Sequence, residues 1–193
     1  MLDFKKYDSK KIGILGLWMT GQSIFNSLSQ SKAEIFLWDD NVSIREKSLY
    51  CHEKIKNIND WPWERLDYFF PSPGVDLKKN FYLENLKKCK TKLMSDISLF
   101  EEARGSIFPS GTLIAITGTN GKSSTATMLY EILKSEGRDV RLGGNIGIPI
   151  LSLEPGTNET IYIVEISSFQ IELTDNICLL YTSPSPRDLS ESR

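Results

Sequence analysis

The sequence predicts an α/β protein in which two units follow one another along the chain, each built around a parallel sheet. Apolar runs of strand length alternate with segments of helical periodicity, as in strands joined by crossover helices. The alternation stops at a turn-rich stretch, residues 105–111, and then starts again. In both halves a glycine turn follows the first strand. These observations favour parallel sheets flanked by helices.

The first unit is expected to cover residues 1–104. Its third strand ends at a Pro-Ser-Pro-Gly sequence, residues 71–74, because proline cannot donate a backbone N–H to a sheet. The predicted strands are 11–16, 34–38, 66–70 and 91–94, and the predicted helices are 21–31 and 81–90.

The second unit, residues 105–180, is expected to be part of a larger α/β domain. A second glycine loop, residues 143–147, follows its second strand. The predicted strands are 113–117, 140–142 and 160–166, and the predicted helix is 122–136. Residues 181–193 are rich in serine and poor in apolar side chains, which predicts a disordered or non-native tail.

Composition narrows the classes of function. The chain has 193 residues, of which 40% are hydrophobic, enough to bury a core. A formal net charge of −2 gives no reason to expect a nucleic-acid or membrane partner. The three cysteines lack C-x-x-C spacing, so neither a disulfide framework nor a thiolate metal site is indicated. With no secretory signal in the sequence, we expect a cytoplasmic protein. We also expect it to be a monomer.

A candidate phosphate-binding loop, T-G-T-N-G-K-S-S, lies between a predicted strand and a predicted helix. Its two glycines permit positive φ angles, so successive N–H groups can face one anion at the positive end of the helix dipole. The lysine would reach the β- and γ-phosphates of ATP, and the serine after it would bind Mg²⁺. The expected ATP-binding residues are Gly118, Thr119, Asn120, Gly121, Lys122, Ser123 and Ser124.

Two further features bear on this loop. Its spacing departs from G-x-x-x-x-G-K-[ST], because isoleucine stands at position 116, so an ordinary glycine-rich turn with an exposed lysine remains the alternative. Glu165 ends a buried strand, where α/β sheets place their ligands, and is a candidate Mg²⁺ ligand together with Ser123. Lys122 and Glu165 are the candidate catalytic residues. The alternative for Glu165 is a surface glutamate at a strand end.

The first unit has its own glycine turn, G-L-W-M-T-G at residues 16–21, which approximates G-x-G-x-x-G. Asp39 follows at about the distance at which an acid meets a ribose hydroxyl, which favours a Rossmann-like domain. Trp18 replaces the glycine that lets a backbone approach a pyrophosphate, so a dinucleotide-dependent dehydrogenase is disfavoured. A turn that serves only helix packing is the alternative.

The segment ITGTNGKSS, residues 116–124, resembles the ATP loop of the Mur ligase family, which joins amino acids to the peptidoglycan precursor. Residues 143–147 and 164–172 resemble the next two motifs of the family, in the same order. Upstream, residues 71–75 and 95–100 extend the resemblance, which runs from about Lys11 to Asn176. It implies a Rossmann-like domain that binds a UDP-linked substrate, followed by a truncated P-loop-type parallel α/β central domain.

The resemblance also implies the reaction, which is the ATP- and Mg²⁺-dependent addition of D-glutamate to UDP-N-acetylmuramoyl-L-alanine through an acyl phosphate. The implied substrate-binding residues are Met19, Thr20, Asp39, Ser72, Pro73, Gly74, Asn145, Ser167 and Gln170. For Asn145, Ser167 and Gln170, the chemistry of the side chains alone leaves an alternative, which is that they cap a turn or the start of a helix.

The family's enzymes are much longer than this chain, so we expect an N-terminal fragment without ligase activity. A stand-alone nucleotide-binding module is one alternative. The branch of the family that adds L-alanine is another, and Asn120 argues against it, because that branch typically has histidine at this position of the loop.

Overall fold

The computed structural model describes residues 3–47, 52–77, 80–105 and 111–174. The chain divides into two compact units, residues 1–107 and 108–193, and the boundary predicted after residue 104 lies close to this division. The predicted tail lies outside the described residues. Within the described ranges, no helix is long and apolar enough to cross a membrane.

The first unit is built on a sheet of parallel strands in the order β2-β1-β3-β4. The strands are β1 (Lys11–Leu15), β2 (Glu34–Trp38), β3 (Tyr68–Pro71) and β4 (Lys92–Leu93). Strands of a parallel sheet are covered on both faces, which explains why β1 and β2 read as continuous apolar runs. The predicted α/β class with parallel sheets is therefore confirmed.

Pro71 belongs to β3, although the sequence placed it after the end of this strand. It is the last residue of β3 and lies opposite Leu15. The next ladder hydrogen bond comes from the N–H of Ser72 to the carbonyl of Leu15, at 2.8 Å. Proline is tolerated at this terminal position because the ladder does not depend on its own missing N–H.

An α-helix follows each strand of the first unit. These helices are α1 (Met19–Leu28), α2 (Val42–Lys47), α3 (Asn80–Lys88) and α4 (Asp96–Gly105). Helix α1 begins before the predicted start at Gly21, and it buries Ile24, Phe25 and Leu28. Neither α2 nor α4 was predicted. The first turn of α4 is held by Ser95, whose hydroxyl accepts a hydrogen bond from the N–H of Ser98 at 3.1 Å.

The tryptophans of the Trp-Pro-Trp sequence lie in the core of the first unit. The rings of Trp61 and Trp63 stack with centroids 5.6 Å apart, and Trp63 meets Phe69 edge-on at 5.4 Å. Their indole N–H groups donate to the carbonyls of Lys56 and Ile58, at 2.9 and 3.0 Å. Because both rings are buried and hydrogen-bonded, they are packing residues of this loop.

The second unit contains a parallel sheet in the order β5-β7-β6. Its elements are β5 (Thr112–Ile116), α5 (Lys122–Ser135), β6 (Val140–Gly144), β7 (Ile161–Glu165) and α6 (Ser168–Glu172). The central strand β7 is buried along its whole length. Ala126 of α5 packs in a cluster with Val140, Ile161 and Ile163. Strand β6 continues further into the glycine loop than predicted, and α6 was not predicted.

Candidate nucleotide-binding site

The predicted phosphate loop joins β5 to α5 at the carboxyl end of the sheet in the second unit. Gly118 and Gly121 have φ angles of 148° and 77°, which favour glycine. Helix α5 starts at Lys122, directly after this turn, so its first free N–H groups lie beside the loop. The Lys122 ammonium donates to the carbonyl oxygen of Gly118 at 2.8 Å, which folds its side chain back over the loop. Residues 118–121 are exposed.

Glu165 lies beside this loop because β7 pairs directly with β5, with Ile116 opposite Glu165. The Ser123 hydroxyl donates to the Glu165 carboxylate at 2.6 Å, and Glu165 is only 6% exposed. The structure thus brings the two predicted metal ligands together.

These two oxygen groups fit Mg²⁺, which takes hard oxygen ligands and usually keeps several waters and phosphate oxygens in its coordination shell. A larger protein cage is not required for such a site. In the described part of the chain, no group of three or more His, Cys, Asp or Glu side chains is placed to hold a metal ion.

Asn145, Ser167 and Gln170 form one hydrogen-bonded network at the same sheet edge. The Asn145 side chain donates from Nδ2 to Oε1 of Gln170 at 2.9 Å. The backbone N–H and the hydroxyl of Ser167 donate to the same Oε1, at 2.9 and 3.0 Å. The backbone N–H of Asn145 donates to the carbonyl of Glu165 at 2.9 Å, which ties the network to the end of β7.

The members of this network differ in exposure. Asn145 is exposed, Ser167 is half-buried, and Gln170 is only 1% exposed. Ser167 and Gln170 form a capping box at the start of α6, the alternative that sequence chemistry left open for them. A signal for this was present in the S-x-x-Q spacing of residues 167–170.

Gly144 supports Glu165, a role that the sequence did not indicate. It lies opposite Glu165 in the pairing of β6 with β7 and has a φ angle of 99°. A Cβ atom at this position would come within 2.7 Å of Val164 Cγ1 and closer still to the carbonyl oxygen of Glu165. Only glycine therefore fits between the loop and the strand that carries the acid.

The first unit's candidate residues gather around its own glycine turn. The Asp39 carboxylate accepts the backbone N–H of Leu17 at 2.7 Å and that of Asn41 at 2.8 Å. The Ser72 hydroxyl donates to the carbonyl of Gly16 at 3.1 Å. Asp39 and Ser72 are both buried, so these hydrogen bonds hold the turn in place.

The other candidates of the first unit lie nearer to solvent. Met19 and Gly74 are exposed, and Thr20 and Pro73 are half-buried. Trp18, the residue that departs from the glycine fingerprint, is 66% exposed. Substrate contacts by these residues remain predictions.

Arg45 is a residue near this turn that the sequence did not single out. Its guanidinium lies 4.1 Å from the ring centroid of Trp38, the last residue of β2, and donates to the carbonyl of Asp39. An arginine stacked on an aromatic ring and bonded to a carbonyl is fixed in position.

Both units are built on parallel α/β sheets, and the second has a glycine loop and an acid at the carboxyl end of its sheet. The chain therefore belongs to the class of α/β proteins with a candidate nucleotide-binding loop. The family model for the Mur ligase middle domain matches residues 116–182. This match begins in β5 and includes the loop, Asn145 and Glu165. The chain belongs to the Mur ligase family.

Similar proteins extend the match over most of the chain. It is 35% identical over 178 residues to a protein of Wolbachia pipientis wMel named UDP-N-acetylmuramoylalanine–D-glutamate ligase, covering 91% of this chain and 34% of the relative. Proteins of the same name from the Wolbachia of Brugia malayi and from Rhizobium johnstonii are 36% and 34% identical, covering 89% and 92% of this chain. The chain spans 34% and 38% of the length of these two relatives.

Proposed function

We propose that the chain provides the ATP-binding and precursor-binding residues of a ligase that joins D-glutamate to UDP-N-acetylmuramoyl-L-alanine. The observation that carries the proposal is the hydrogen-bonded pair of Ser123 and Glu165 beside the glycine loop. The names of the similar proteins support this choice of reaction. ATP dependence is a property of the Mur ligase family, and the loop offers a place for its phosphates.

The residues have complementary tasks in this proposal. The N–H groups of residues 118–121 and of the start of α5 bind phosphate oxygens, and Lys122 turns from the Gly118 carbonyl to the phosphates. Ser123 and Glu165 hold Mg²⁺, which supplies positive charge next to the transferred phosphoryl group. The backbone N–H groups of the loop are held in place by the fold before the reaction starts, so they stabilise developing charge without reorganisation.

The chemistry balances in two steps. The carboxylate of the alanyl group attacks the γ-phosphorus of ATP, which forms an acyl phosphate and releases ADP. The amine of D-glutamate then attacks the acyl carbon, loses a proton and expels inorganic phosphate, so an amide bond forms. The first step makes the second possible because phosphate is a far better leaving group than hydroxide. Lys122 acts in the first step by neutralising charge on the transferred group.

The Lys122→Ala variant tests the nucleotide site, with Lys134→Ala as the matched control on the same helix. Lys134 is exposed on α5 and lies near the ring of Tyr130. A hydrogen bond to a charged group contributes about 1.5–3 kcal/mol, so Lys122→Ala should weaken Mg·ATP binding roughly 10- to 150-fold. Calorimetric titration measures both variants. Equal affinity of Lys122→Ala and the unaltered chain would contradict the assignment of the loop.

A second titration separates the ligase from a nucleotide-binding module that acts on no precursor. Binding of UDP-N-acetylmuramoyl-L-alanine to the same chain supports the ligase. Binding of ATP without any binding of this precursor would favour the module instead.

A further inference from the structure

Asn120 and Gly121 form the only Asn-Gly sequence of the chain. The carbonyl carbon of an asparagine side chain, Cγ, can be attacked by the backbone nitrogen of the next residue, which closes a five-membered ring. A glycine in the second position has no Cβ atom to hinder this approach. The chemistry of the pair therefore makes Asn120 a candidate for spontaneous loss of its side-chain amide, or deamidation.

The fold leaves both groups of this reaction open to solvent. Asn120 and Gly121 are exposed and lie in a bend directly before α5, outside any helix or strand. Among the described residues, neither the Asn120 side chain nor the Gly121 N–H has a hydrogen-bond partner. No ladder or helix bond therefore has to break before the Gly121 nitrogen attacks.

The features that suit this loop to phosphate also favour the attack. The Gly121 nitrogen must lose its proton and carry negative charge, and it lies at the N-terminal end of α5, where the helix dipole favours negative charge. The Lys122 ammonium, 2.8 Å from the Gly118 carbonyl oxygen, holds a positive charge over the same loop. A loop that attracts anions thus also stabilises the anionic step of deamidation.

We propose that Asn120 is a site of spontaneous deamidation and that bound Mg·ATP protects it, so that empty phosphate loops lose their affinity for ATP with time. A solvent base removes the Gly121 amide proton, the nitrogen bonds to Cγ of Asn120, and the side-chain nitrogen leaves as ammonia. Water then breaks either C–N bond of the cyclic imide and releases a proton, which leaves aspartate or isoaspartate at position 120. The protection by Mg·ATP rests on the proposed function, whereas the deamidation does not.

The product carries a carboxylate in the middle of the phosphate loop. In the proposed function the N–H groups of residues 118–121 bind phosphate oxygens, and a negative charge among them repels those oxygens. Isoaspartate also adds a methylene carbon to the main chain, which displaces these N–H groups from the start of α5. Both products therefore bind Mg·ATP more weakly.

Mass-spectrometric peptide mapping of the chain during storage measures conversion at each asparagine, with Asn158 as the internal control. Asn158 is also exposed, but Glu159 follows it, whose side chain hinders ring closure and whose N–H donates to the Thr157 hydroxyl at 3.2 Å. Conversion in the ligand-free chain should be faster at Asn120 than at Asn158. With Mg·ATP at about 100 times its Kd, roughly 1% of the loops are empty, so conversion at Asn120 should slow about 100-fold and conversion at Asn158 should not change.

Three variants connect the modification to nucleotide binding. Lys122→Ala should lose most of the protection at the same Mg·ATP concentration, because it binds Mg·ATP more weakly. Asn120→Asp, which reproduces one product, should bind Mg·ATP at least roughly fivefold more weakly in a calorimetric titration, since like charges about 4 Å apart repel each other even in water. Asn158→Asp should bind it like the unaltered chain. Circular dichroism shows that the variants remain folded.

The outcomes separate this inference from the proposed function. Conversion at Asn120 no faster than at Asn158, or conversion that bound Mg·ATP does not slow, would overturn the inference while the proposed function stands. Unchanged affinity of Asn120→Asp for Mg·ATP would do the same. If the unaltered chain binds no Mg·ATP, the proposed function fails together with the protection, and conversion in the ligand-free chain still decides whether Asn120 is a modification site.

Discussion

Replacement of Gly144 by alanine should destabilise the second unit much more than the same replacement of Gly147 in the same loop. Both glycines have positive φ angles, 99° and 65°, so both alanine variants suffer backbone strain of about 1–2 kcal/mol. Only at Gly144 does the added Cβ also meet other atoms, at Val164 and at the backbone of Glu165. At Gly147 no atom lies within 4 Å of the added Cβ.

The steric overlap adds about 1–3 kcal/mol, the usual cost of overpacking. We therefore expect a loss of about 2–5 kcal/mol for Gly144→Ala and of about 1–2 kcal/mol for Gly147→Ala. Alanine also restricts the unfolded chain, but this effect is the same for both variants and cancels in their difference. The difference of at least about 1 kcal/mol is therefore a measure of the close approach alone.

Amide hydrogen exchange of Ile163 and Val164 reports the opening free energy of the central strand of this unit. Mg·ATP titration provides the second measurement, since a shift of the Glu165 backbone should move its carboxylate away from Ser123. Gly144→Ala should bind Mg·ATP more weakly than Gly147→Ala. If the two variants exchange at the same rates and bind Mg·ATP equally, the packing of Gly144 against β7 does not position Glu165.

Two further predictions concern the first unit. Trp63→Ala should lower its free energy of unfolding by about 3–5 kcal/mol, as expected for a buried aromatic ring, whereas Trp18→Ala at an exposed position should change it by less than about 0.5 kcal/mol. Urea unfolding followed by the remaining tryptophans measures both, and similar losses would show that Trp63 is not a core residue. Glu102→Gln should weaken the dependence of stability on acid pH. Burial raises the pKa of Glu102, but hydrogen bonds from Lys6 and Tyr7 and the charge of Lys92 outweigh it and lower the pKa below its usual value. A lowered folded-state pKa gives stability that is present above the ordinary glutamate pKa and is lost as pH falls through the folded value. Unfolding measured from neutral pH down to pH about 3 should therefore show a shallower decline for Glu102→Gln, and an identical pH profile would contradict this linkage.

The strands were the part of the fold that the sequence predicted best. Strand β2 has the predicted bounds, because a strand covered on both faces of a parallel sheet is apolar at almost every position. Of the missed helices, α2 and α6 have only one or two turns, which give too little periodicity to identify. Helix α6 was nevertheless marked by its S-x-x-Q capping box, which was interpreted instead as a pair of substrate contacts.

The candidate site was predictable where one local segment forms it, and not where distant residues meet. The residues of the phosphate loop are contiguous, so strand, glycines, lysine and helix could be found together. The support of Glu165 by Gly144 depends on the register of β6 against β7, which no local pattern contains. The contact of Asn145 with Gln170 likewise joins residues 25 positions apart, and Gln170 is held by a helix cap.

The two glycine turns form the same kind of hydrogen bond, but the bond serves a different purpose in each unit. In each unit the loop after one strand donates a hydrogen bond to an acid at the end of the neighbouring parallel strand, from the N–H of Leu17 to Asp39 and from the Ser123 hydroxyl to Glu165. A backbone N–H is fixed, so Asp39 serves as a permanent brace. A serine hydroxyl can rotate and accept instead, so the contact with Glu165 can open to admit a cation between the two oxygens. This difference in donor favours the second unit as the location of the proposed Mg²⁺ site.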